Sequence, residues 1–99
     1  MQNVIAIVSF KLNDANLLGE WKIISDNINQ SLNGVDGFIS RDSAIGEDGK
    51  VYCILKWENV EKQNAFKKVL QSDEFKGRFE SFGKIVNIET MNSENLKVI

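Results

Sequence analysis

Two runs in this chain are apolar on both of their alternating faces, and that limits what it can fold into. The first is Val4-Ile5-Ala6-Ile7-Val8-Ser9-Phe10 and the second Val51-Tyr52-Cys53-Ile54-Leu55-Lys56-Trp57. Both are dominated by β-branched and aromatic residues and read as strands. Successive strand residues point to opposite faces. One face therefore collects Val4, Ala6, Val8 and Phe10 with Val51, Cys53, Leu55 and Trp57, a set with almost no polar member that must meet helices. Val86 and Ile88 are expected to join it from a last strand. The other face carries Ile5, Ile7, Tyr52, Ile54 and Ile85 among Ser9, Lys11, Lys56, Asn87 and Glu89. Five large apolar or aromatic side chains left in water would form a substantial patch. A partner sheet removes that patch, so the pattern predicts a homodimer with closed two-fold symmetry through the open sheet face. A half-solvated sheet with scattered hydrophobics is the other reading of the same residues.

The segments between these strands complete a recognisable order. Residues 3–12 form the first strand, and Asn13 and Asp14 supply cap chemistry for a helix. Within that helix Leu17, Trp21, Ile24, Ile28 and Leu32 recur at steps of three and four as one apolar stripe. Asn33-Gly34 ends it, with glycine suited to the left-handed conformation there. Residues 37–45 and 50–57 are the second and third strands, joined through Gly46-Glu47-Asp48-Gly49, whose Asp-Gly pair favours a tight antiparallel hairpin. Asn59 begins a helix to about Leu70, with Val60, Phe66, Val69 and Leu70 available to the core. Ser72 and Asp73 restart a shorter helix carrying Phe75, Phe79 and Phe82, stopped by Gly83. Residues 84–91 are the last strand, and Asn92 to Ile99 a tail. The order β-α-β-β-α-β predicts an α+β fold, a ferredoxin-like sandwich with a four-stranded antiparallel sheet and helices on one face, as a single domain over residues 1–99.

Composition then excludes several functions. Lys and Arg total 12 against 14 Asp and Glu, giving a net charge of -2 and a pI near 5.1, so no nucleic-acid partner is expected. The absence of histidine and the single cysteine exclude Cys/His zinc sites, histidine acid–base catalysis and an intramolecular disulfide. The first apolar run lacks the flanks of a secretory signal and is too short to cross a bilayer. A lone cysteine inside an apolar run suits a reducing compartment. A cytoplasmic protein without a membrane partner is the expectation.

At Trp57-Glu58, Ala65-Phe66 and Val69-Leu70-Gln71-Ser72-Asp73-Glu74-Phe75, the chain resembles the antibiotic-biosynthesis monooxygenase-type dimeric α/β barrel proteins. Ala65, Phe66, Leu70, Ser72 and Phe75 match the pattern of that family, whereas Val69 and Glu74 stand where histidines are common. The resemblance implies two sheets facing each other as a barrel, with a cavity between sheet and helices in each protomer. It also implies oxygenation of a small aromatic substrate without metal or flavin. Haem-cleaving relatives use an axial histidine that this chain lacks, and no cofactor is expected. A non-catalytic module that binds a small apolar ligand, or serves assembly alone, competes with the oxygenase reading.

Four residues are candidate ligand contacts, each with a structural reading beside the functional one. Trp57, at the end of an apolar strand, offers a flat wall and an indole donor to an aromatic ligand, or fills the core. Trp21 lies within the helical stripe and carries the same two readings. Arg41 and Asp42 occupy opposite faces of the second strand, so one of them points towards the helices unless a bulge intervenes. Either lines a cavity mouth there, or both are solvated on an edge strand. Glu58 and Glu61 fit the first turn of the second helix, where the dipole favours anions. Cys53 has no cationic neighbour in sequence, so a nucleophilic role is not expected.

Overall fold

The computed structural model describes residues 3–70 and 82–99, apart from the side chains of Val69 and Leu70. The two apolar runs become β1 (Val4–Leu12) and β3 (Lys50–Trp57), the central strands of a four-stranded sheet. β2 (Phe38–Ile45) flanks β3, β4 (Val86–Lys97) flanks β1, and every pairing is antiparallel. The strand order β2-β3-β1-β4 is that of the ferredoxin-like fold. Asp14 accepts the Asn16 N–H at 2.8 Å and opens a 3-10 turn (Ala15–Leu17) that runs directly into α1 (Leu18–Leu32). The Asn59 carboxamide accepts the Lys62 N–H at 2.9 Å at the start of α2 (Val60–Leu70). In the β2–β3 hairpin the Gly46 N–H donates to the Lys50 carbonyl at 2.8 Å and the Gly49 N–H to the Gly46 carbonyl at 3.0 Å. The loop is thus Glu47-Asp48-Gly49, with Gly49 at φ 84°, the three-residue form that requires a left-handed last residue.

The core lies between the sheet and the helices in two clusters. Phe10, Trp21, Val51, Cys53 and Val86 form the first, and Val4, Leu32 and Trp57 the second. Ile28 and Leu55 pack against both, which joins them into one interior. Every member except Val86 comes from β1, β3 or the α1 stripe, because only those elements present apolar residues at the required period. Of the expected aromatics, Phe82 packs edge-on against Phe10 with ring centroids 5.7 Å apart. Ser72, Asp73, Phe75 and Phe79 lie outside the described residues, as do the side chains of Val69 and Leu70. Val60, expected in the core, is 43% exposed. The inward place near the start of α2 belongs instead to Gln63, whose amide exchanges hydrogen bonds with that of Asn95 at 3.1 and 3.3 Å.

The last strand departs most from the sequence expectation. Residues 82–85 are helical, so Ile85 packs against the first cluster rather than lying on the open face. β4 then runs to Lys97, and the expected tail pairs with β1 from Ser9↔Asn92 to Val4↔Lys97. The pairing jumps from Lys11↔Asn87 to Ser9↔Asn92, so residues 88–91 bulge out opposite Phe10 alone. Thr90 stabilises the bulge: its hydroxyl accepts the Lys11 N–H at 2.8 Å and donates to the Asn87 carbonyl at 2.7 Å. Ile88 therefore leaves the helix-facing set and is 53% exposed.

One loop residue is fixed by both backbone angle and space. Gly37 has φ 83°, and a Cβ built on it would stand 2.4 Å from Cβ and Cγ of Lys62. The preceding Asp36 carboxylate pairs with the Lys62 ammonium, and the Gly37 carbonyl accepts the Glu58 N–H at 2.8 Å. Gly37→Ala is expected to cost more than Gly34→Ala, measured by urea unfolding. Gly34 shares the left-handed φ, 82°, but a Cβ there meets nothing within 4 Å. Backbone strain of roughly 1–2 kcal/mol is common to both, and the excess at Gly37 reports the contact with α2. Equal losses would show that Lys62 moves aside freely.

Candidate functional site

The site is organised by a bulge in β2. Phe38 pairs with Trp57 while Ser40 pairs with Lys56, so Ile39 is an extra residue that shifts the alternation by one. Beyond it Arg41 pairs with Leu55 and Ser43 with Cys53, both on the helix side. Asp42 pairs with Ile54 on the open face and is exposed. The parity left undecided by the sequence is thereby settled: the cation turns towards α1 and the carboxylate away from it.

Arg41 is half-buried between β2 and α1. Its Nη1 donates to Ser25 Oγ and to Asn29 Oδ1, each at 2.8 Å, and more weakly to the Ser25 carbonyl at 3.4 Å. Nη2 reaches Cys53 Sγ at 3.6 Å. All these acceptors are uncharged, so the guanidinium holds a positive charge at the seam while its geometry is pinned by α1. Ser25 lies one turn beyond Trp21 and is 7% exposed, a polar member of an apolar stripe whose purpose is this contact. The Trp21 indole donates to Ser43 Oγ at 3.3 Å, and its ring meets Phe10 edge-on at 4.9 Å. Trp21 is only 3% exposed; the accessible part of the seam is Ser43 and Arg41.

Cys53 lies beneath this seam, 3.9 Å from Ser43 Oγ. Burial pushes its thiol pKa up from the ordinary value of 9.0, outweighing the opposing pull of the Arg41 charge and the contacts of Ser43 and Arg41. It is a protonated thiol at neutral pH and not a nucleophile. A cation does stand beside it in space, although none neighbours it in sequence. Arg41 is diagonal to Cys53 across strands, a relation that hairpin register shows only once the bulge is known.

Trp57 belongs to the second cluster and does not meet the other candidates. It is 2% exposed, with Phe38 and Phe66 at ring-centroid distances of 5.5 and 5.4 Å. The structure thus joins Trp21 to Arg41 through Ser43 and Cys53, leaves Trp57 in a separate aromatic group and places Asp42 on the far side of the sheet. Glu58 and Glu61 are exposed around the start of α2. Farther along the α1–β2 seam, a cleft of about 260 Å³ opens between the start of α1 and the hairpin, lined by Leu12, Ala15, Leu18 and Ile45 with Lys11, Asp48 and Gly49. Among the described residues no three His, Cys, Asp or Glu side chains gather as metal ligands, and no helix is long and apolar enough to cross a membrane.

No family model matches the chain, and no curated protein matches it by sequence. Solved structures do. A Caulobacter crescentus protein provisionally called an antibiotic biosynthesis monooxygenase superposes with a TM-score of 0.79 at 11% identity, over 99% of this chain and 91% of that one. A provisionally named monooxygenase from Deinococcus radiodurans gives 0.76 at 12% identity, over 97% and 92% of the two chains. SnoaB of Streptomyces nogalater, a cofactor-independent oxygenase, gives 0.69 at 14% identity, over 100% and 93%. Similarity at this level of identity is similarity of fold. From end to end, the chain has the ferredoxin-like fold of the antibiotic biosynthesis monooxygenase-type proteins.

Proposed function

We propose that the protein is a homodimer closed through its open sheet face, and that each protomer binds a small aromatic ligand whose polar group is oriented by Arg41. The observation that carries the dimer is the layout of that face. Ile7 and Ile54 pair at its centre, Ile5 and Tyr52 flank them, and Leu96, unforeseen in the sequence, adds to them beside Ile5. The edge strands place Asp42 and Glu94 at the two ends of the Ile54–Ile7 row. An apolar centre with a charged rim is the anatomy of a protein interface. A buried unpaired thiol suits such a dimer to the reducing cytoplasm.

Cofactor-independent oxygenation is the chemistry we assign to that ligand, supported by the fold shared with SnoaB. Such a reaction asks the protein to bind, orient and stabilise a substrate anion, and Arg41, held by uncharged partners, supplies a fixed positive charge for it. Binding without turnover is the second reading. It is favoured by the absence of a carboxylate or histidine among the described residues of the seam: Cys53 is a thiol, Arg41 brings a guanidinium and Asp42 faces away. Oxygen uptake with a panel of quinols and anthrones separates the two. Turnover that falls at least about tenfold in Arg41→Met supports the oxygenase reading. Ligand retained in native mass spectrometry without oxygen uptake supports the binding module. Turnover indifferent to Arg41→Met removes Arg41 from the site.

A further inference from the structure

The Arg41 guanidinium carries more donors than the protein uses. Of its five N–H groups, the two on Nη1 go to Ser25 and Asn29, and one on Nη2 goes to Cys53 Sγ. The Nε–H and the second Nη2–H have no acceptor among the described residues. Arg41 makes no ion pair there either, the salt bridge among those residues being Lys62–Asp36. A half-buried cation with two spare donors and no counter-ion favours an anion over a neutral group. Ser43 is exposed beside it and accepts the Trp21 indole N–H at 3.3 Å, which leaves its hydroxyl hydrogen free to donate.

The same seam carries an apolar floor. Arg41, Ser43 and Ile45 pair with Leu55, Cys53 and Val51 and so share the helix side of β2. Opposite them Leu18, Ser25 and Asn29 recur along one stripe of α1 at steps of seven and four. Ser25 and Asn29 meet Arg41, while Leu18 lines the cleft of about 260 Å³ with Leu12, Ala15 and Ile45. Ile45 is 49% exposed although its partner Val51 is 1% exposed, so an aliphatic wall stands uncovered in a concavity. Lys11 pairs with Lys50 next to Phe10↔Val51, which turns its side chain to the open face and leaves Asp48 as the charged side chain of the cleft. Asp48 is fixed in the hairpin by the Lys50 N–H at 3.0 Å, past Ile45 from Arg41. Its carboxylate repels an anionic head from that end and directs it towards Arg41.

Resting on the reading that Arg41 orients the ligand, we infer that this ligand is an aryl-alkanoate, held along the seam from the hairpin cleft to the guanidinium. Its ring lies on Leu12, Leu18 and Ile45, and its carboxylate accepts from Arg41 and Ser43. Size sets both parts. The cleft exceeds the ~150 Å³ cavity that takes one benzene and falls short of the ~300–1,000 Å³ of pockets for drug-sized ligands, which limits the portion held there to one ring. Same-face neighbours along a strand stand roughly 7 Å apart, so the Ser43 position is a short alkyl chain away from Ile45.

Titration of the isotope-labelled protein with hydrocinnamate, its neutral amide and acetate tests this, followed by NMR of the backbone amides and of the Arg41 Nε–H. Hydrocinnamate is expected to shift the Arg41 Nε–H and the amides of Leu18, Ser43 and Ile45 together and saturably. The amide lacks the charge and acetate lacks the ring, and each is expected to bind at least about tenfold more weakly. Arg41→Met is expected to abolish the preference for the acid over its amide, and Ile45→Ser to weaken acid and amide alike. Shifts at Arg41 without a preference for the acid, or without shifts at Leu18 and Ile45, would overturn this inference and leave Arg41 as the orienting group. An Arg41 Nε–H unmoved by all three compounds would overturn both.

Discussion

Ile54→Glu is expected to halve the mass of the particle in solution, measured by light scattering behind a sizing column. Ile54 is 36% exposed within one protomer, so a carboxylate there remains hydrated when the protomer stands alone. In the dimer it would sit in the apolar centre, next to Asp42 on β2 and in line with Glu94 on β4. Burying an unpaired carboxylate costs several kcal/mol, and the like-charged Asp42 lies directly beside it. That cost is comparable to the binding free energy of a micromolar dimer, about 8 kcal/mol. Unfolding midpoints recorded at low protein concentration separate loss of association from loss of fold. A monomeric wild type, or a variant that stays dimeric, would place the interface elsewhere or remove it.

Trp57→Ala is expected to remove about 3–5 kcal/mol of stability, as large aromatic truncations in cores do. The side chain is 2% exposed and holds Phe38, Phe66, Val4 and Leu32 together. It therefore joins the start of β2 and the middle of α2 to the central strands. Against a total stability of roughly 5–15 kcal/mol for a domain, this loss brings the chain near the folding threshold. Trp57→Phe retains a ring between Phe38 and Phe66 and is expected to lose less than half as much. Urea unfolding of the two variants measures the difference. A loss below about 1 kcal/mol for the alanine variant would show that the site collapses around the vacancy.

The central strands, α1 and the hairpin were legible because each carries a strong local signal. β1 and β3 are rich in β-branched and aromatic residues, the helical stripe keeps its period from Leu17 to Leu32, and Asp48-Gly49 announces its turn. The outer half of β4 carries no such signal. Asn92, Ser93, Glu94 and Asn95 have low strand propensity, and they pair because β1 offers an open edge. The candidate site was legible in its residues but not in its grouping. Trp21 and Arg41 are linked through Ser43 and Cys53, while Trp57 and Asp42 lie elsewhere, and the difference rests on register. Ser25 went unnoticed because one serine inside an apolar stripe carries no signal until the strand opposite it is known to present a guanidinium. Ile39 is β-branched, and nothing beside it in the chain marks a bulge.

That inconspicuous isoleucine sets the reading frame of the pleat for everything downstream in β2. Ile39 is 44% exposed, yet its being left out of the pairing decides which of two oppositely charged neighbours lies under α1. Were Ile39 to pair in its turn, unbroken alternation from Phe38 would exchange the two sides, with Asp42 turned towards the helices and Arg41 into the open sheet face. Deleting Ile39 outright would instead close the bulge and leave Arg41 opposite Leu55 and Asp42 opposite Ile54. The extra residue is thus absorbed locally, and the two charges keep their faces whether that one codon is present or lost.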